Sequence, residues 1–145
     1  MNKHHEFLFS PEPWEGEGTI KFNMSPEQLA ITTSWKMNNC TDEGFSCVQE
    51  IELVEVNDIM KNSFTVTFTE NNKFNITLQN EILGLVEGTG FYDENVIAWE
   101  FRGSDLEFEG YELYEKQKDG SYLSRAEYAS KEQMRTIIEG TIHKK

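Results

Sequence analysis

The sequence predicts an all-β chain, an antiparallel up-and-down β-barrel of about eight to ten strands with one short C-terminal helix. Three observations carry this. Apolar residues recur at every second position through most of the chain, the period of a strand with one buried face. Polar turns rich in Asn, Asp and Gly separate these runs at hairpin spacing, so consecutive runs pair antiparallel. The runs are also too many for one open sheet, whose edges would be liabilities. Closure removes the edges, and a two-layer β-sandwich is the alternative.

The elements follow in order. Residues 1–12 are expected to be a flexible N-terminal segment; its Phe7-Leu8-Phe9 patch is short and is followed by Pro11, Glu12 and Pro13. Residues 13–145 are expected to form one barrel domain. Leu29, Ile31, Thr33, Trp35 and Met37 alternate with Ala30, Thr32, Ser34 and Lys36. Asn38 to Gly44 reads as a connection. From Cys47 to Val56 the apolar phase slips, from Ile51 and Leu53 to Val54 and Val56, which suggests a bulge near Leu53-Val54. A turn is expected over Asn57–Asn62. Phe64-Val66-Phe68 and Phe74-Ile76-Leu78 flank Glu70-Asn71-Asn72-Lys73, a strong hairpin signal.

Downstream, Ile82 to Gly90 is strand-like, with Gly84, Gly88 and Gly90 suited to a bend or a close backbone approach. Val96 to Arg102 places Ile97, Trp99 and Phe101 on one face. Leu106 to Lys116 and Ser121 to Ala129 form the next hairpin around Lys118-Asp119-Gly120. Ser130-Lys131-Glu132-Gln133 has the pattern of a capping box, and Met134, Ile137 and Ile138 give an apolar stripe, so a helix is expected over Lys131–Glu139. Ile138, Gly140 and Ile142 also alternate, which leaves a strand from Arg135 to His143 as the other reading.

Composition bounds the function. With 145 residues and 16.9 kDa, the chain holds one core. Thirteen Lys and Arg against 26 Asp and Glu give a net charge of −13, so a general binder of nucleic-acid phosphates would meet repulsion. No apolar run approaches the roughly 18 residues that span a bilayer. The N-terminus lacks the apolar core and cleavage site of a signal peptide, so the cytoplasm is the expected compartment. Cys40 and Cys47 read as ordinary thiols there, and no second cysteine pair offers a zinc site. His4, His5 and His143 are the only histidines, and no metal or cofactor is expected from them.

Pro13-Trp14-Glu15-Gly16-Glu17-Gly18 resembles the Trp/Gly signature near the first strand of calycin-like barrels: the lipocalins, fatty-acid-binding proteins and their bacterial relatives. The meander from Trp14 to Ile142 and a late helix are similar too. The resemblance implies a barrel that holds a small ligand. Lipocalins carry a helix after the eighth strand, matching the one expected at Lys131–Glu139. Fatty-acid-binding proteins carry a helical lid after the first strand, where only Ser25-Pro26-Glu27-Gln28 stands here. The nitrobindin-like branch holds haem through a late histidine. The late histidine here, His143, has no matching surroundings, and no haem is expected. The stretch from Glu109 to Ile142 resembles small bacterial proteins of no assigned activity.

Candidate ligand-binding residues are Trp35, Trp99, Arg102, Tyr122, Arg125 and Tyr128. The aromatic residues could line a cavity or simply pack the core. Tyr122 and Tyr128 share a face with the small Ser124 and Ala126 between them. Arg102 with Glu100, and Arg125 with Glu127, would fix an anionic head group if they pointed inward. Pointing outward they are solvated ion pairs worth little. Glu100, Glu107, Glu109, Glu112 and Glu115 could in principle supply an acid and a base, but glutamates are too abundant for placement to be informative. No nucleophile elbow, phosphate loop or metal motif is present. The sequence therefore favours a non-catalytic binding barrel for a small apolar or amphipathic molecule, as monomer or homodimer. A solid-cored interaction module is the alternative, and an enzyme with an inward glutamate of raised pKa comes third.

Overall fold

The computed structural model describes residues 5–81, 84–102, 108–130 and 135–145. Ten strands make one closed barrel: β1 (Trp14–Phe22), β2 (Gln28–Thr41), β3 (Gly44–Leu53), β4 (Asp58–Phe68), β5 (Lys73–Asn80), β6 (Gly84–Tyr92), β7 (Val96–Phe101), β8 (Phe108–Lys116), β9 (Tyr122–Ser130) and β10 (Arg135–Lys144). Each strand pairs antiparallel with its chain neighbours, and β10 closes on β1 from Trp14↔Lys144 to Phe22↔Thr136. The sandwich alternative is thereby excluded.

Local chemistry explains the turns. Asn71 and Asn72 both take positive φ, 58° and 61°, as the two central residues of a tight hairpin turn require, and Lys73 N–H bonds to the Glu70 carbonyl at 3.2 Å. Asn tolerates this region better than any residue but Gly. Gly90 faces inward where a Cβ would lie 2.3 Å from the Phe74 ring, and Gly18 faces Glu139 O at 2.0 Å. Both glycines permit close approaches that any side chain would block.

Three expectations are corrected. The helix expected over Lys131–Glu139 is not formed: Arg135–Glu139 is the first half of β10, and no helix occurs among the described residues. Residues 131–134 lie outside the described set. The local capping pattern loses to two ladders, because β10 pairs with both β9 and β1 and completes the barrel. The phase slip after Leu53 is no bulge. The strand ends there and Val54 to Asn57 form the turn, leaving Val54 and Val56 exposed. The register shift lies instead in β2, between Met37 and Asn39. The turn expected over Asn57–Asn62 is shorter, since β4 begins at Asp58.

The segment before β1 lies against the barrel. Phe7 is 0% exposed, and His5, Leu8 and Phe9 are buried with it. This segment closes the barrel end that carries the β2–β3, β4–β5, β6–β7 and β8–β9 connections. Leu8 has φ 70°, a left-handed conformation that costs an L residue about 1–2 kcal/mol. The burial of three large apolar side chains, each worth roughly 1.5–3 kcal/mol, exceeds that cost.

Candidate functional site

Strand alternation sends one set of side chains into the barrel, and they stack in distinct layers. At the closed end sits an aromatic layer. Phe7 is boxed by Trp14, Trp35, Tyr114 and Tyr122, with ring centroids 5.2–5.3 Å apart. Phe9 packs beside it on Phe45, Phe68 and Tyr92. His5 ties the segment to the wall. Its Nε2–H donates to the Asp93 carbonyl at 2.6 Å, so in the neutral ring Nδ1 accepts from the Tyr122 hydroxyl at 2.5 Å.

Below the aromatic layer the interior turns polar. Glu112 of β8 points inward and is buried. Its two carboxylate oxygens accept from the hydroxyls of Tyr114 and Tyr128. Burial pushes the Glu112 carboxyl above the usual glutamate range, while the two tyrosines pull the other way. Burial and the adjacent carboxylate raise both tyrosines well above their ordinary pKa, and the buried Cys47 thiol is raised in the same way. The Trp99 indole lies beside the carboxyl and helps hold its charge, though its N–H meets full hydrogen-bond geometry with no described atom. Across the lumen, Asn62 Nδ2 donates to Gln49 Oε1 at 3.1 Å and Asn80 Nδ2 to Asn62 Oδ1 at 3.0 Å, a ladder over three strands.

A second apolar cluster lies beyond this layer: Ile20, Ile31 and Ile51, with Phe22, Leu29, Leu53, Met60 and Ile138 against it. Here the inward side chains are less covered. Asn62, Asn80, Met60, Tyr128 and Ile138 are all half-buried although they face the lumen, whereas Trp35, Phe64 and Tyr122 are sealed. These half-buried inward side chains lie towards the end opposite the N-terminal segment.

Four of the six sequence-predicted ligand residues point inward along one path: Tyr122 and Trp35 against Phe7, Trp99 beside Trp35 at 6.5 Å, and Tyr128 on Glu112. The two arginines are elsewhere. Arg102 is on the outer wall with its side chain 75% exposed, 3.3 Å from Glu100. Arg125 is also outside, bound to Glu139 at 3.0 Å and Glu127 at 3.6 Å, with its Nε donating to Tyr111 Oη. Neither joins the inner group. Sequence reasoning named the layer's central residue, Glu112, only as one of five glutamates and did not single it out. Leu113 beside it suggests that the other face of β8 is inside. The usable signal is Gly110 and Tyr114, which share the face of Glu112 and match the neighbouring inward positions.

Two surface grooves are on the outer wall, one over Glu15, Glu17, Glu50 and Glu52, the other over Asn75, Thr77, Glu87 and Glu100. Such a charged exterior around an apolar interior reverses the pattern of a membrane-spanning barrel. No helix among the described residues is long and apolar enough to cross a membrane. No group of histidine, cysteine and carboxylate side chains suited to a metal occurs among them.

No protein-family model and no curated protein matches the chain. Among solved structures it is similar to the crystal structure of Rv2717c from M. tuberculosis, with a TM-score of 0.65 and 15% sequence identity over 94% of both chains. At that identity the likeness is one of fold. The chain is a ten-stranded closed antiparallel β-barrel that shares its fold with that bacterial protein.

Proposed function

We propose that this chain is a calycin-like binding barrel of the cytoplasm that holds a small apolar or amphipathic molecule without acting on it chemically. The observation that carries this is the make-up of the interior: a layer of inward polar groups, Gln49, Asn62, Asn80 and Glu112, crosses an otherwise apolar lumen, and Met60, Ile138 and Tyr128 beside it are only half-buried although they face inward. An amphipathic molecule entering from the far end would lay its apolar part on Leu53, Met60 and Ile138. Its polar part would reach Asn62, Asn80 and the Tyr128–Glu112 pair. A few placed polar groups in an apolar lining are the usual make-up of such sites.

Native mass spectrometry of the protein, purified without tag or detergent, tests the reading. A discrete extra mass lost on denaturation is expected. A bare 16.9 kDa species that takes up neither fatty acids nor aromatic probes would overturn it in favour of a solid-cored interaction module.

Glu112 favours a second reading, proton transfer, because a buried glutamate with raised pKa is what an enzyme on this scaffold needs. Both of its oxygens are engaged by tyrosines, so a substrate would have to displace Tyr128 to reach it. Turnover abolished by Glu112→Gln, with ligand retention intact, would establish it.

A further inference from the structure

We propose that residues 5–12 are an intramolecular ligand of the barrel, and that the aromatic box around Phe7 is a binding site for a small apolar molecule carrying an aryl ring and a hydrogen-bond acceptor. The inference rests on the binding-barrel reading and adds a second, gated site at its closed end. The segment forms no strand of the sheet and is held by its buried side chains, by the His5 hydrogen bonds and by the Phe7 backbone N–H on the Tyr122 hydroxyl. What the barrel offers at this point is four aromatic rings around one phenyl group, so the recognition element is already an aryl ring.

Phe7 fills the box without satisfying it. Trp14 and Trp35 both pack on its ring, both are buried, and neither indole N–H has a partner among the described residues. Phenylalanine carries no acceptor. A ligand with a carbonyl or ether oxygen next to its ring supplies what the segment lacks.

The segment is also built to leave as a unit. Ser10 Oγ donates to the Glu6 carbonyl at 2.7 Å and closes a turn within it. Leu8 is held in a left-handed conformation that withdrawal relaxes. Its ion pairs, Lys144 with Glu6 and with Glu12 at 2.8 Å each, lie in solvent and hold it weakly, so the His5 hydrogen bonds to Tyr122 and Asp93 are the polar ties that withdrawal has to break. Exchange of one aryl group for another leaves the strand ladders intact.

Amide hydrogen exchange on the full chain, with acetophenone as the probe and ethylbenzene as the control without an acceptor, tests this. Saturating acetophenone is expected to speed exchange at residues 6–10 at least tenfold while the strand amides keep their rates. Ethylbenzene should bind several-fold more weakly. Lys144→Ala, outside the box, should tighten acetophenone binding a few-fold, and Phe7→Ala more than tenfold. Acetophenone binding to the wild type with residues 6–10 still protected would overturn the inference and leave the binding barrel standing. A folded Phe7→Ala protein, checked by near-ultraviolet circular dichroism, that binds no acetophenone would also overturn it. If Phe7→Ala does not fold, the wild-type and Lys144→Ala exchange rates decide.

Discussion

On one side of the Gln49–Asn62–Asn80 ladder the lumen holds Trp14, Trp35, Phe64, Trp99, Tyr114 and Tyr122, closed over by Phe7 and Phe9. On the other side, three isoleucines and a fringe of half-buried side chains fill a lumen of the same ten strands. The ladders do not differ in kind, so the contrast comes from side-chain volume and from what covers each end. A closed barrel settles its edges through backbone pairing alone. That leaves its inner face free to be aromatic at one end and aliphatic at the other.

Phe7→Ala should break the contrast most strongly. It removes a fully buried ring from the aromatic box and should cost about 3–5 kcal/mol in urea unfolding. A loss below about 1 kcal/mol would mean that the segment adds little to the closed half. Glu112→Gln sharpens the boundary between the halves. The Glu112 pKa is raised on folding, so its contribution is fully present below the unfolded pKa of roughly 4.3 and is lost as pH rises towards the folded pKa. Between those two values the wild type should lose about 1.4 kcal/mol per pH unit relative to the non-titrating Gln variant. Paired urea titrations from pH 4 to 8 would show the slope, and a flat difference would mean that water solvates Glu112 freely. Met60→Ala in the aliphatic half should cost least, about 1 kcal/mol, because its side chain is only half-buried. A cost equal to that of Phe7→Ala would mean that both halves are packed alike.

The strands of this barrel were largely legible, because alternation records directly which face is buried. Its ends and its centre were not. Phe7-Leu8-Phe9 carries no period and has no ladder, so its burial depends on an opening that exists only once Trp14, Trp35, Tyr114 and Tyr122 have come together. Arg135–Glu139 was misread for a related reason. Local capping and an Ile-Ile stripe favour a helix, and the two partners that make it a strand, β1 and β9, are selected by closure. Of the candidate ligand residues, Trp99 reaches the lumen with Ile97 and Phe101 on β7, Trp35 with Ile31 on β2, and Tyr122 and Tyr128 with Ala126 on β9. Arg102 follows the outward Glu100 of β7, which the alternation of Trp99 with Glu100 indicates, and Arg125 alternates with the inward Ala126 on β9. Glu112 is one of five candidate glutamates in the sequence, and nothing in their placement singles it out, because parity on a strand is relative.

The pairing of β1 with β10 also governs how the chain can reach this state. Trp14–Phe22 acquires its second neighbour only from Arg135–Lys144, more than a hundred residues later. On a ribosome making about 5–20 residues per second, one edge of the first strand would wait several seconds for its partner. Contacts this distant in sequence also slow folding, because the loop must close before any of them forms. Until then the nascent sheet has two open margins, and the charges at Glu15, Glu17 and Lys21 on the first of them are what discourage it from pairing with another chain.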